Sequence, residues 1–498
     1  MVMRKYWLPC SVCALYIIKI NNPQIGVCMF TGRTTELQLL ENAYASDKNE
    51  LTVIYGRRRI GKSALVAQFL KGKSPVFSFE ALEDDTTQAQ LGHFTRQLAR
   101  QLKEPLLDDI VFKDWDKAFD YFTRTALSKN GSKKSILFLD ELQWMAAGKN
   151  SLVALLKYYW DNYWKQRPVM LILCGSVSSF MIRNVLRSKA LYGRTTLEIN
   201  LKGLKPSDAY TLLGKRRSVE EALTYLLVFG AIPKYLEQVD IHRSFNENIN
   251  ALCFSKNCTM LNEADKLFHS QFRRPDTYFR IIKLLGDNLY TGKEISSKAE
   301  IQSGGGLTGY IENLINADLV ISYIPFDKAK GAKVLKYALS DEFLRFYLKY
   351  IKPNERLIEQ SRSLKIFETV TRAGFDVWLG FAFERFCHKQ AGLLAQIMGF
   401  ADEVIQVGPL FGKSDERFQI DLVYKRTDKV IVVCEIKYSV NEISTQIIPE
   451  IQRKCSLLKV PRGYTVQKAL ISLYGPDKSL ANSKFLDYSV TVSDIFQK

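Results

Sequence analysis

The sequence predicts an α/β protein whose main domain is a parallel sheet carrying a phosphate-binding loop. Two observations carry that prediction. A β-branched and aromatic strand, Leu51 to Tyr55, runs into Gly56-Arg57-Arg58-Arg59-Ile60-Gly61-Lys62-Ser63 and then into the helical run that opens Ser63-Ala64. This is the G-x-x-x-x-G-K-[ST] pattern in the strand–loop–helix setting that it needs. From Met29 to about residue 200, apolar runs then alternate with helical stretches, which suits a parallel sheet covered on both faces.

Taken in order, Thr31-Gly32-Arg33 leads into a helix over residues 35–46, with Thr35 placed to cap it. Strands are expected at 75–81, 135–144 and 168–176, and helices at 86–102, 113–128 and 150–165. Beyond Asn200 the rhythm stops, and 201–265 reads as helical with a turn at Gly230-Ala231-Ile232-Pro233. Residues 270–350 read as helices at 276–287, 292–299 and 307–316, then strands at 318–325 and 334–339. That order is a helix-turn-helix with a β-hairpin wing. The polar stretch 352–366 reads as a linker, and the remainder returns to mixed α/β. The expected domains are an extension at 1–28, an ATPase core at 29–200, a helical segment at 201–265, a winged helix at 266–352 and a C-terminal α/β domain at 353–498.

Bulk properties agree with several domains, because 498 residues exceed what one core holds. The net charge of +18 points to a polyanionic partner such as nucleic acid. Nine scattered cysteines suit free thiols in a reducing cytosol, so a cytoplasmic location is expected. Cys10-Ser-Val-Cys13 has no second half and no βαβ context, so it is discounted as a zinc or redox site. The apolar run Tyr6–Ile18 is too short to span a bilayer. Residues 1–28 therefore read as an extension ahead of Met29, with no membrane partner.

In the phosphate loop, Gly56 and Gly61 let the backbone turn its N–H groups inward, and the following helix N-terminus adds partial positive charge. Gly56 to Ala64 form the expected nucleotide cradle, with Lys62 reaching the β- and γ-phosphates and Ser63 ligating Mg²⁺. Ile136-Leu137-Phe138-Leu139-Asp140-Glu141 supplies a buried strand ending in two acids, at the edge where open α/β sheets bind ligands. Asp140 is expected to hold Mg²⁺ through water, and Glu141 to polarise the attacking water. Ser176 lies at the tip of the next strand, within reach of the γ-phosphate or the water, although a serine-rich turn also explains it. Arg194 is a candidate charge-neutralising arginine, in cis or on a neighbouring copy, weighed equally against a plain surface arginine.

As a set, FTGR, YGRRRIGKS, LFLDELQW, LCGSVSSFM, LYGRTT and GAIPKYLE resemble the prokaryotic, archaeal-type ATPases of the AAA+ and STAND kind, over about residues 29–350. The resemblance implies a parallel-sheet core that binds and hydrolyses ATP, a helical lid in which Pro233 approaches the adenine, and a winged helix. The reading helix 307–316 lacks Lys and Arg, which DNA contacts call for. The wing carries Lys328, Lys330, Lys333 and Lys336 instead. DNA contact through the wing and intramolecular packing of the domain both remain open.

Near the C-terminus, Phe418–Tyr424 and Val430–Lys437 read as a hairpin across KRTDK. Glu435 and Lys437 are two apart and share a face, and the hairpin brings Asp421 alongside. Two such carboxylates can share Mg²⁺, Glu384 can add a third acid, and Lys437 can position water or stabilise charge. The arrangement resembles the PD-(D/E)XK core of restriction-endonuclease-like domains, although Ile420 stands where that pattern has proline. Gln446 and Gln452 are weaker candidates for backbone-phosphate contact. The resulting reading is an ATP-hydrolysing, DNA-associated protein with a metal-dependent nuclease-like domain. Its alternative is a nucleotide-driven signalling switch whose winged helix and C-terminal domain are non-catalytic modules. ATP, DNA and a further copy of the chain are the partners that this reading admits.

Overall fold

Leu51, Val53 and Ile54 are shielded completely, and the strand that carries them is buried at every position. Such two-sided burial belongs in the middle of a helix-covered sheet. In the computed structural model, which describes residues 30–128, 133–146, 151–286, 288–302, 304–323, 335–361, 363, 365–413 and 417–497, that is where the strand lies. The chain divides into two compact units, one ending at Gly203 and one spanning Leu204–Lys498. Residues 1–28 and the wing lysines Lys328, Lys330 and Lys333 lie outside the described residues.

The first unit contains α1 (Thr34–Ala45), β1 (Glu50–Tyr55), α2 (Lys62–Leu70), β2 (Val76–Glu80), α3 (Thr87–Leu102), β3 (Ser135–Asp140), β4 (Val169–Gly175) and β5 (Leu197–Asn200). All pairings in its sheet are parallel, in the order β2-β3-β4-β1-β5. The C-terminal tips of β1, β4 and β3 are therefore successive neighbours, about 4.8 Å apart per strand. That edge gathers the phosphate loop, Ser176 and the two acids, which are far apart in sequence. Below it, Phe79 stacks on Phe94 at 4.1 Å within an aromatic core that includes Phe119, Phe122 and Trp164.

One expectation here is corrected. Thr35 does not cap α1, because the helix already starts at Thr34 and Arg33 occupies the N-cap in a left-handed conformation (φ 61°) without a side-chain cap bond. The Arg33 guanidinium reaches the Ile60 carbonyl at 3.0 Å, tying this turn to the phosphate loop.

In the second unit the segment after Asn200 is helical as expected: α4 (Pro206–Leu212), α5 (Val219–Phe229), α6 (Phe245–Cys253) and α7 (Glu263–Gln271). Next come α8 (Pro275–Leu285), β6 (Tyr290–Thr291), α9 (Gly292–Lys298), α10 (Gly305–Asn316), β7 (Val320–Tyr323) and β8 (Lys336–Leu339). The strands form an antiparallel sheet in the order β6-β8-β7, completing a winged-helix topology. A capping box at Thr291 and Glu294 starts α9.

The expected linker at 352–366 instead carries a helix over 355–360, and among its described residues Ile358 and Ile366 are buried. After α11 (Glu342–Phe346), the chain forms α12 (Glu355–Gln360) and α13 (Ile366–Thr371). Phe367 of α13 lies 5.9 Å from Phe245, 5.8 Å from Phe254 and 5.2 Å from Phe375. The apolar residues among the polar ones decide the matter, because they find an aromatic cluster to enter.

The C-terminal part consists of α14 (Phe375–Lys389), β9 (Val404–Lys413), β10 (Arg417–Arg426), β11 (Val430–Lys437), α15 (Ile448–Leu457), β12 (Thr465–Ser472) and β13 (Tyr488–Thr491). Its sheet runs β13-β12-β11-β10-β9, antiparallel through β9-β10-β11 and parallel through β11-β12-β13.

Candidate functional site

At the first site, α2 begins at Lys62 with Gly61 as its N-cap at φ 91°. A side chain at Gly56 is excluded, because a Cβ there would lie 2.4 Å from the Leu201 carbonyl oxygen. Arg59 is left-handed (φ 71°), and the Ile60 side chain is buried beneath the loop. Lys62 is buried and donates to the carbonyls of Gly56 and Arg57, each at 3.1 Å, so its ammonium is held across the loop. Arg58 pairs with Glu83 at 2.9 Å, Arg57 is buried, and Ala64 is exposed on the first turn of α2.

Ser63 Oγ donates to Asp140 Oδ2 at 2.6 Å, across 77 residues of sequence. Burial pushes the Asp140 carboxyl above its ordinary range, and the neighbouring Glu141 charge adds to this. Glu141 is left-handed (φ 52°), a backbone state that a non-glycine residue adopts only when its surroundings hold it there. Those surroundings are visible: Glu141 Oε2 accepts from Ser176 Oγ at 2.6 Å, from the Ser176 backbone N–H at 3.3 Å and from the Gln143 amide. Gln143 also donates to Ser176 Oγ at 3.2 Å. Ser176 thus supports the acid. Sequence reasoning passed over Gln143, although a polar residue at a strand tip beside two acids was its signal.

Arg194 is committed elsewhere. Its Nε and Nη2 donate to the two carboxylate oxygens of Asp161 at 2.9 and 2.8 Å. This fork holds the Asp161 carboxyl down at about 2, with the Arg194 hydrogen bond as the main cause. A bidentate pair leaves the guanidinium with little freedom to leave for a phosphate. Of the two readings of Arg194, this pairing favours the surface arginine over the charge-neutralising one. Because the Asp161 pKa is depressed on folding, the pair stabilises the fold above about pH 4 and loses that effect as pH falls through about 2. Arg194→Ala is expected to leave ATP turnover within about twofold, by the usual yardstick for surface changes, and to return the Asp161 pKa toward its ordinary value. Carbon-13 NMR titration of the Asp161 carboxyl checks the second point. A large loss of turnover would restore the catalytic reading.

Pro233 opens the short turn Pro233–Leu236 in the second unit and is half-buried. Lys336, the one described wing lysine of the four, lies over the Phe411 ring at 5.7 Å, an intramolecular contact. Gln446 and Gln452 are both exposed.

The C-terminal hairpin does bring its acids together. Leu422 pairs with Cys434, which sets Asp421 across from Glu435. On the other edge, Ile420 pairs with Leu410 but Val423 with Gly408, so β10 carries one extra residue at Asp421-Leu422. Such a bulge re-aims a side chain, and here Asp421 Oδ2 accepts the Ile436 N–H at 3.1 Å. Asp421 and Glu435 are 7% and 1% exposed, and burial raises both pKa values. Glu384, on α14, is pushed up to about 7 by burial and by the Asp421 charge.

The group that completes this cluster is one that the sequence did not announce. Lys454 of α15, 6% exposed, sends its ammonium to 2.7 Å from Glu435 Oε2, 3.4 Å from Glu450 Oε1 and 3.9 Å from Asp421 Oδ2. Lys437 lies 2.9 Å from Glu435 Oε1 and 3.3 Å from Glu450 Oε2. Two ammonium groups thus alternate with three carboxylates. Among the described residues, no group of three or more His, Cys, Asp or Glu is placed to hold a metal ion. Of the expected metal set of Glu384, Asp421 and Glu435, the last two have the Lys454 ammonium within 3.9 Å. The four-residue spacing from Glu450 to Lys454 was the only hint available beforehand.

Comparison with known proteins bears on the first site most directly. Residues 30–239 match a family described as an ATPase domain predominantly from Archaea, and residues 347–448 match archaeal and bacterial proteins of unknown function. The core is similar to archaeal P-loop ATPase domains. An uncharacterized protein of Methanocaldococcus jannaschii is 28% identical over 414 residues, covering 82% of this chain and 88% of its own. An uncharacterized ATP-binding protein of the same organism is 44% identical over 48 residues, covering 10% of this chain and 81% of its own. Among solved structures, the Walker-type ATPase of Pyrococcus abyssi aligns with 18% identity and a TM-score of 0.45, covering 64% of this chain and 96% of that one. Among the described residues, no helix is long and apolar enough to cross a membrane.

Proposed function

We propose that the chain hydrolyses ATP at the β1–β3 edge and uses that cycle in association with DNA. The observation that carries the first part is the Ser63–Asp140 hydrogen bond at 2.6 Å, which joins the phosphate loop to the acid strand. A hydroxyl and a buried carboxylate are hard oxygen donors suited to Mg²⁺, and the raised Asp140 pKa marks a site that a cation would relieve. Ser63 and Asp140 would hold that ion, which would supply neutralising charge to the phosphates. Lys62 exchanges its two loop carbonyls for phosphate oxygens. Glu141, anchored by Ser176 and Gln143, orients the attacking water and accepts its proton.

Glu141→Gln keeps the size and the anchoring partners but removes the base. It is expected to bind ATP within about threefold of the parent and to turn over ~10²-fold more slowly. Equilibrium binding of a fluorescent ATP analogue, run beside a phosphate-release assay, tests this. Unchanged turnover would reject Glu141 as the base.

For the C-terminal domain, the Lys454 ammonium within 2.7 Å of Glu435 favours DNA docking without metal-dependent cleavage. A charge-satisfied carboxylate pair has little need of Mg²⁺. The cleaving alternative keeps the shared face of Asp421, Glu435 and Lys437 as its support. Incubating supercoiled DNA with Mg²⁺ or Mn²⁺, with and without ATP, separates the two. Nicking that disappears in Asp421→Ala would establish the nuclease and reject the docking-only reading.

A further inference from the structure

Beside this carboxylate–lysine cluster lie two arginines that the folding of the second unit brings within reach of each other's charge, without an ion pair among the described residues. Glu342 of α11 and Lys389 of α14 form an ion pair at 2.6 Å, which pins the two helices to each other. Arg345 lies three residues after Glu342, and Arg385 lies four residues before Lys389. Each is therefore on the same helix face as its half of the pair. Tyr323, at the end of β7, stands over the same place, with its ring 6.1 Å from that of His388. The charges of both Arg345 and Arg385 act on the Tyr323 hydroxyl.

Among the described residues, neither guanidinium has an ion-pair partner. Arg345 donates only to the Leu339 carbonyl, and its Nε is fully shielded with nothing to bond. The nearby acids are engaged elsewhere or lie short of an ion pair: Glu342 serves Lys389, Asp341 caps α11 through the Leu344 N–H at 2.7 Å, and Glu384, its carboxyl pushed up to about 7, acts on Arg385 without forming an ion pair with it. Burial, followed by the Arg385 charge, lowers the Arg345 pKa to about 9, far below what arginine ordinarily shows. Burial lowers that of Arg385 as well. Two half-buried cations of like sign without an anion are costly to maintain, and buried charges are normally paired. Planar guanidinium forks match the oxygens of a phosphate group.

We propose that Arg345, Arg385 and the Tyr323 hydroxyl form a binding site for one phosphate group of a nucleic-acid backbone. His388 fixes where that phosphate lies relative to the charge cluster. Its Nε2 donates to the Asp421 backbone oxygen at 2.6 Å, so α14 is anchored to β10 at the bulge. A strand gripped by Arg385 thus passes beside Asp421 and Glu435. This inference rests on the DNA-associated reading for its ligand, while the anion site itself is a property of the two arginines.

The test uses the full chain and two probes: inorganic phosphate, and a fluorescein-labelled 20-base-pair duplex. Arg385→Gln is the main variant, because Arg385 makes no hydrogen bond or ion pair among the described residues. Arg345→Gln serves as the second variant. In phosphate-free buffer, Arg385→Gln is expected to melt no lower than the parent, since it removes an unpaired charge. With Lys62→Ala as a common background to disable the phosphate loop, phosphate is expected to raise the melting temperature of the otherwise unchanged chain and not that of either arginine variant. For the duplex, the slope of log K against log salt is expected to fall by about 0.9 in Arg385→Gln, as for one lost phosphate contact. Parent and variants responding alike to phosphate and to duplex would overturn the site while leaving DNA association intact. A Lys62→Ala chain that is stabilised by phosphate but binds no duplex supports the anion site and rejects its DNA ligand. A marked loss of melting temperature in Arg385→Gln without phosphate would show a structural arginine and overturn the proposal.

Discussion

Replacing Lys62 by alanine is expected to lower ATP turnover on the order of 10³-fold, because the change removes the point charge that follows the transferring phosphate. Folding should survive. In the structure the Lys62 ammonium is satisfied by the Gly56 and Arg57 carbonyls, and among the described residues it forms no ion pair. The loop is shaped by Gly56 against Leu201 and by the left-handed Gly61, and neither is touched by the substitution. A phosphate-release assay at saturating ATP, with far-ultraviolet circular dichroism as the folding control, checks this. Turnover equal to that of the parent would remove the phosphate loop from the catalytic site.

Lys454→Met is expected to lower the unfolding free energy by about 3 kcal/mol, the usual consequence of stripping one partner from a buried pair. Glu435 is 1% exposed, and its nearest cation at 2.7 Å would be gone. Methionine fills much of the lysine stem, so the loss reports charge more than packing. The double variant Lys454→Met with Glu435→Gln is expected to recover more than half of it, because the carboxylate stripped of its nearest cation is then gone and Asp421, 3.9 Å from Lys454, keeps its hydrogen bond from the Ile436 N–H. Urea midpoints of the parent, both single variants and the double variant form the cycle that measures this. A parent-like midpoint for Lys454→Met would show that the ammonium carries no weight in the cluster.

Both predictions show where information resides in this chain. The nucleotide site was legible because its chemistry is local. Gly56 to Ser63 sit in one loop, Asp140 and Glu141 end one apolar strand, and a parallel sheet delivers strand ends to one edge. Once the α/β alternation is read, their meeting needs only the strand order, in which β4 separates β1 from β3. The hairpin that faces Asp421 toward Glu435 was legible for the same reason, since its turn spans few residues.

The features that escaped reading depend on where distant helices come to rest. Arg194 admitted two readings until Asp161 was seen to hold it, and the polar stretch 352–366 looked like a linker until Ile358 and Ile366 were seen to be buried. Lys454, 33 residues beyond Asp421, resembles any helical surface lysine until α15 packs against the sheet. Arg345 and Arg385 become a pair only when α11 and α14 are joined. Sequence by itself determined the backbone chemistry of the phosphate loop and the order of its partners, because those follow from spacing and strand periodicity. Which charges are paired and which are left bare was decided by tertiary structure alone, because Coulomb interactions depend on distance in space and on burial, and neither is written in the spacing of residues.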